Sequence, residues 1–359
     1  MTRDPSPAPP VPPVAPRLLE WFDAHRRDLP WRADRDPYRI WVSEVMLQQT
    51  TVAAVVPYFS RFLAAFPTLP ALAAADEQAV LKLWEGLGYY RRARHLHAAA
   101  KRVVAEHGGV FPDDPAAVAD LPGVGRYILG AVLSQAFDRR LPIVEANSLR
   151  VLARWFGFPG DPRTGDGKKW VWEAAASVLP AKRAGDFNQA VMELGALVCT
   201  PANPKCGECP VRAECAAFRD GTQAVIPPPA KAKAITEVRE VAVVLRDGGK
   251  VLLCRRPATA SRWAGMWEVP HAEGEPADAR RIAAELTGFD VCPGDEILTV
   301  RHSVTRFAIT MVCLESAPVG GAFRPGFYAA AEWVPVPDLD RFPVSAPQRK
   351  LMRELAKIV

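Results

Sequence analysis

Four cysteines fall within a short stretch at Cys199, Cys206, Cys209 and Cys215, in the pattern C-x6-C-x2-C-x5-C. They lie in a loop containing Pro, Lys and Gly that follows an apolar, helix-patterned segment. Thiolates this close in sequence can converge on one centre, and four of them suit either a tetrahedral zinc or an iron–sulfur cluster. Zinc usually takes two paired C-x2-C knuckles and only one close pair is present, so the spacing leaves both open. The chain has seven cysteines, and its N-terminus has no apolar core followed by a cleavage site. A disulfide framework is therefore not expected. Cys254, Cys292 and Cys313 are scattered and read as buried free thiols.

The 359 residues suggest more than one domain, and 49% hydrophobic with 24% charged residues is globular composition. No stretch approaches the roughly 20 apolar residues of a membrane helix. Residues 1–16 hold seven prolines and read as a disordered tail. From residue 17 to 220 the apolar spacing is helical, with segments expected at Val42–Phe62, Glu77–Leu87, Arg94–Glu106, Tyr127–Phe137 and Phe187–Val198. Residues 221–235, with Pro227–Pro229, read as a linker. From 236 to 359 the period changes. Strands are expected at Glu240–Arg246, Lys250–Arg256 and Thr305–Leu314, with a turn at Asp247-Gly248-Gly249 and a helix at Ala279–Leu286. The fold class is thus multidomain: an all-α core carrying the cysteine loop, then a smaller α/β domain.

A formal charge of +5 permits nucleic-acid binding without arguing for it; local motifs must carry that case. Leu121-Pro122-Gly123-Val124-Gly125 lies between two helical segments. Its glycines allow a tight turn, and the amides opening the next helix can hold a phosphate without reading sequence. Glu44 sits inside an apolar helical run, Trp41-Val42-Ser43-Glu44-Val45-Met46-Leu47-Gln48-Gln49-Thr50. Burial raises a carboxylate's pKa and makes it a candidate general acid. Gly86-Leu87-Gly88-Tyr89-Tyr90, followed by Arg91, Arg92 and Arg94, offers a planar side chain that can enter a base stack and cations that can hold phosphates.

These motifs, in this order, resemble the superfamily of DNA repair enzymes that holds endonuclease III and the adenine glycosylases (MutY). The resemblance spans residues 17–359. It implies a helix–hairpin–helix glycosylase core, with Gly123 and Gly125 against the DNA backbone and a [4Fe–4S] cluster on Cys199, Cys206, Cys209 and Cys215. It further implies that Glu44 protonates adenine and that Glu145 stabilises the sugar cation. The family pattern at that second position is Asp-Gly-Asn, where this chain has Glu145-Ala146-Asn147; Asn147 matches and would orient catalytic groups. Tyr127 stands where strand-cutting members place a lysine, and a tyrosine cannot form a Schiff base, so a monofunctional glycosylase is expected. Trp31, Arg32 and Glu193 match residues around the extruded adenine; Tyr89 matches the wedge; Gln49, Thr50 and Leu87 match residues near the opposing base.

The second domain resembles a Nudix fold. The run Arg281-Ile282-Ala283-Ala284-Glu285-Leu286 lacks two of the three carboxylates of R-E-x-x-E-E, so pyrophosphate hydrolysis is not expected. In MutY proteins such a domain recognises 8-oxoguanine through a loop that often reads Phe-Ser-His. Here it reads Val304-Thr305-Arg306, leaving Thr305 and Arg306 as lesion-binding candidates. The expected partner is double-stranded DNA with 8-oxoguanine:adenine or guanine:adenine mispairs, met by a monomer in the cytoplasm, at the nucleoid, with no membrane. The alternatives are an endonuclease III-like glycosylase and lyase on oxidised pyrimidines, and a catalytically weak lesion-binding protein.

Overall fold

A computed structural model describes residues 14–230 and 234–358. Residues 1–13 of the expected tail and 231–233 of the expected linker lie outside the described residues. The helices are α1 (Ala15–His25), α2 (Pro37–Leu47), α3 (Val52–Ala65), α4 (Leu69–Ala74), α5 (Glu77–Trp84), α6 (Arg91–His107), α7 (Pro115–Ala119), α8 (Arg126–Phe137), α9 (Ala146–Phe156), α10 (Gly165–Val178), α11 (Ala184–Leu197), α12 (Ala216–Arg219), α13 (Ala279–Thr287) and α14 (Ala346–Leu355). The strands are β1 (Thr236–Asp247), β2 (Lys250–Arg255), β3 (Trp267–Glu268), β4 (His271–Glu273), β5 (Phe289–Val304), β6 (Phe307–Gly321) and β7 (Ala330–Pro335). No helix among the described residues is long and apolar enough to cross a membrane.

The chain forms two compact units. The first comprises the chain up to Leu63, Pro67–Pro70 and the stretch from Ala98 to the 231 boundary. The second comprises Ala64–Phe66, Ala71–His97 and the C-terminal part. The second unit thus takes in α5 and the Gly86–Tyr90 loop, which sequence reasoning grouped with the helical core.

The helix expected over Val42–Phe62 is two helices, α2 and α3. The break is at Gln48–Thr51, where Gln49 takes φ 58°. A left-handed residue cannot continue a right-handed helix. The expected tail yields at Ala15 and Pro16, which open α1; proline tolerates the first turn because its missing N–H has no partner there anyway. α1, α9, α10 and α11 enclose a helical core around Phe22, Trp155, Phe187 and Leu194.

Part of the expected linker is tied to the helical unit. Arg154 Nε donates to the Ile226 carbonyl at 2.8 Å, Arg163 Nη2 to that of Pro228 at 2.5 Å, and Ile226 packs with Ala153 and Ala217.

In the second unit the sheet order is β3-β2-β1-β6-β5, with β4 on β1 and β7 on β2. β1 and β6 are parallel, and β5 and β6 form a long antiparallel hairpin. β1 alternates between two cores: Ala242 and Val244 face one that includes α14, while Val241, Val243 and Leu245 face one that includes α13. Both faces are covered, so the strand reads as a continuous apolar run. The strand expected to start at Thr305 starts at Phe307, and Thr305 and Arg306 form the hairpin turn. Cys254 and Cys313 are buried as expected. Cys292 is exposed, because it lies at the irregular end of β5 where the register with β6 slips.

Candidate active site

Asp36 caps α2 by accepting from the Tyr38 amide at 2.8 Å, with Pro37 at the first helical position. Every residue from Ile40 to Met46 is buried, so Glu44 has no solvent-facing side to turn to and is only 3% exposed. Both its oxygens are engaged from α8. Tyr127 Oη donates to Oε2 at 2.5 Å and Gln135 Nε2 donates to Oε1 at 2.8 Å. Burial holds the Glu44 carboxyl above its ordinary pKa. The bonds from Tyr127 and Gln135 pull it back, the charge of Glu145 pushes it up further, and that of Arg32 lowers it. The Tyr127 phenol is pushed well above its usual range, by burial first and then by the Glu44 charge. The result is a buried carboxyl biased toward its protonated form, beside a phenol that stays neutral.

Glu145 is the N-cap of α9. Its oxygens accept from the amides of Asn147 at 2.8 Å and Ser148 at 2.7 Å, while Ser148 Oγ accepts from the Glu145 amide at 2.8 Å. This reciprocal capping box explains how a glutamate is accommodated: the extra methylene lets the carboxylate fold back over the helix end. Burial raises the Glu145 pKa, opposed by these amide bonds and by the charge of Arg150. Asn147 Nδ2 approaches Oε2 at 3.3 Å, and Arg150 Nη2 holds Asn147 Oδ1 at 2.9 Å. Arg150 also donates to the carbonyls of Gly195 and Cys199, each at 2.8 Å.

Arg32 and Glu193 come together as a pair, and Arg27, which the sequence reading missed, completes the group. Arg27 donates to Glu193 through Nε and Nη2, both at 2.8 Å, and through its backbone amide at 2.9 Å. Arg32 adds bonds of 3.3 and 3.1 Å and reaches Gln189 at 2.9 Å. Burial works to raise the Glu193 pKa, but these donors prevail and lower it to about 2. Trp31 is buried in a 3-10 turn, edge-on to Phe59 with ring centroids 5.4 Å apart. Gln135, Arg27, Gln189 and Arg150 had no motif to mark them; only the folded chain brings them to the site.

Gly123 takes φ 78°, which a side chain would strain. Gly125 is the N-cap of α8 and has no side chain to cap it, so the first amides of this 12-residue helix remain available to an anion. Gln49 is exposed and Thr50 half-buried in the turn between α2 and α3. Within the second unit Tyr89 is 49% exposed, whereas Leu87, expected beside the opposing base, is 7% exposed and packed into the unit.

The four cysteines line one cavity together with Arg154, Arg212 and Gln223. All four are half-buried and unbridged. Arg154 Nη1 donates to Cys199 Sγ at 3.5 Å and Gln223 Nε2 to Cys206 Sγ at 4.0 Å. Burial and the neighbouring thiols push Cys209 up to about 12, so a bound group must supply positive charge to hold it as a thiolate. Four soft donors lining one cavity, two of them met by N–H groups, are the donor set that a thiolate-held metal centre uses.

In the second unit the hairpin turn places Thr305 at φ 54°, with Oγ1 donating to the Val304 carbonyl at 2.7 Å. The guanidinium groups of Arg262 and Arg306 lie 4.7 and 5.1 Å from the Phe307 ring centre. On α13, Glu285 is tied to Arg281 at 2.9 Å, and Ile282 is core. Glu268 is a buried hub accepting from Arg256 and Tyr328, each at 2.7 Å, beside His271. Burial would lower the His271 pKa, but Glu268 and Glu240 raise it to about 10.

Residues 42–176 match the family described as HhH-GPD superfamily base excision DNA repair protein, and residues 240–354 match the NUDIX domain family. Adenine DNA glycosylase from Rattus norvegicus is 34% identical over 94% of this chain and 76% of its own length. The enzyme of the same name from Homo sapiens is 33% identical over 94% and 72%. A thermostable thymine-DNA glycosylase structure superposes with TM-score 0.52 at 31% identity, over 57% of this chain and 95% of its own.

Proposed function

Because the chain belongs to the adenine DNA glycosylase family, we propose that it excises adenine mispaired with 8-oxoguanine, and also with guanine, by a monofunctional route and as a monomer. The observation that carries this reading is Glu44, a buried carboxyl held between Tyr127 and Gln135 with a second carboxylate, Glu145, close enough to raise its pKa.

Glu44 gives its proton to a ring nitrogen of adenine. The glycosidic bond breaks and its electron pair leaves with the base. The neighbouring carboxylate of Glu145 offsets the positive charge left on the sugar, an electrostatic role that needs a fixed rather than a mobile group. The two capping amides and Asn147 hold it fixed. Water supplies the hydroxyl at the sugar carbon and its proton restores Glu44, leaving an abasic site. Tyr127 orients the acid and forms no covalent link. Trp31 supplies a flat wall for the extruded purine, and Glu193 fixes the guanidinium edges of Arg27 and Arg32. Tyr89 fills the gap left by the base, and Gln49 and Thr50 attend the partner strand. The α8 amides behind Gly123 and Gly125 hold a backbone phosphate.

Cys199, Cys206, Cys209 and Cys215 hold a [4Fe–4S] cluster, which when bound supplies a charged, redox-capable crosslink of the loop after α11. Thr305 and Arg306 face the 8-oxoguanine. The test is single-turnover excision from 8-oxoguanine:adenine, guanine:adenine and 8-oxoguanine:cytosine duplexes, compared with a Thr305→Ala, Arg306→Ala double variant. The expected order is fastest on the first, slower on the second and none on the third, with the advantage of the first narrowed in the variant. Equal rates on the first two with the native protein would overturn the assigned lesion preference.

A further inference from the structure

We propose that Arg349 is a positioning residue for base extrusion, steadying the Gly86–Tyr90 loop through a part-buried ion pair with Glu85; this rests on the reading of Tyr89 as the wedge. Within the second unit, α5 is fastened to the C-terminal part at both ends. Near its start, Gln78 uses both amide atoms: Oε1 accepts from Trp267 Nε1 at 2.9 Å and Nε2 donates to the Gly265 carbonyl at 3.0 Å. At its end, the C-cap residue Glu85 accepts from Arg349 Nε at 2.5 Å and Nη2 at 2.9 Å. Arg349 is buried and also donates to the Phe342 carbonyl at 2.7 Å and to Asp340 at 2.6 Å. A two-pronged guanidinium–carboxylate contact fixes direction as well as distance, which an ammonium does not.

The anchored carboxylate is one residue from the loop. Gly86, Gly88 and Tyr89 have φ of 93°, 75° and 49°, so three residues of four are left-handed. The Arg92 guanidinium lies 5.5 Å from the Trp84 ring and 5.4 Å from that of Tyr89, tying the loop to the end of α5. Opening a base stack costs free energy that the wedge must supply. A wedge mounted on two glycines transmits that load through Trp84 Nε1 and Arg92 Nη2, which donate to the Gly88 carbonyl at 3.2 and 3.0 Å, to the end of α5, where Glu85 is held by Arg349 and by Lys82 at 3.0 Å. The C-terminal part of the chain thereby supports the removal of adenine as well as meeting the opposite strand.

The experiment uses the full-length protein with Arg349→Met, Glu85→Gln, Gln78→Ala and Tyr89→Ala, each checked for folding by thermal melting. Single-turnover adenine release is measured on a fully paired duplex and on a bubble in which the target adenine is already unstacked. Misplacement of about 1 Å away from the chemistry can cost on the order of 100-fold, so a loss of about 10- to 100-fold is expected on the duplex. No more than about twofold is expected on the bubble. 2-Aminopurine at the target position should lose its extrusion signal in parallel. Gln78→Ala, which alters no charge, should show the same duplex-selective loss more weakly. Equal losses on both substrates, or none on either, in Arg349→Met and Gln78→Ala would overturn the proposal. If Tyr89→Ala leaves the duplex-to-bubble ratio unchanged, the wedge reading itself fails. If Tyr89→Ala lowers it and the anchor variants do not, only the anchoring fails.

Discussion

Replacing Glu145 by asparagine separates two roles that coincide in one side chain. The carboxylate caps α9 through the Asn147 and Ser148 amides, and it is also the group assigned to offset the sugar cation. Asparagine is among the best N-caps; an alanine at such a site costs about 1 kcal/mol, whereas exchange between good caps costs little. In a domain of roughly 150–250 residues each kcal/mol moves the melting temperature by about 2–4 °C. Glu145→Asn should therefore melt within that margin of the native protein, and Glu145→Ala below it. Asparagine carries no charge, however, and removing one preorganised electrostatic stabiliser typically costs about 100- to 1,000-fold in rate. Single-turnover excision should fall by that factor in Glu145→Asn, while Glu145→Asp, which restores the family residue, keeps both cap and rate. Excision by Glu145→Asn at near-native rate would refute the reasoning and leave Glu145 as a cap alone.

Gln135→Leu removes a donor that favours the ionised form of Glu44, so the Glu44 pKa rises further. The acid then stays protonated to higher pH, and the alkaline limb of the excision profile should shift upward; a downward shift would contradict the assignment. Arg27→Gln weakens the hold that lowers Glu193 to about 2. The native contribution of this pair is full above the ordinary carboxylate pKa and is lost as pH falls toward 2, so the variant's stability should depend less on pH in that window, measured by melting. Cys209→Ala should abolish the visible absorption of the cluster and lower thermal stability. Borohydride added during turnover should trap no covalent DNA adduct on the native protein.

The helical core, its cysteine loop and the mixed second unit were legible because each carries a local period or a spacing that survives without tertiary context. What escaped the sequence was long-range. Gln135 is an ordinary polar residue until α8 brings it to Glu44, and so is Arg27 until the turn after α1 meets Glu193 on α11. The break at Gln48–Thr51 was hidden because apolar spacing continues across it while a single left-handed residue, Gln49, ends the helix. The place of α5 in the second unit goes with the contacts of Gln78 and of Glu85, whose partners lie up to 264 residues away along the chain and which no periodicity encodes.

The most direct test is the release of free adenine from an 8-oxoguanine:adenine duplex in a single turnover, native protein against Glu44→Gln. The native protein should yield free adenine and an unbroken strand bearing an abasic site, and loss of the acid should slow release by about 100- to 10,000-fold. Undiminished release by Glu44→Gln, or strand cleavage without free adenine, would contradict the account.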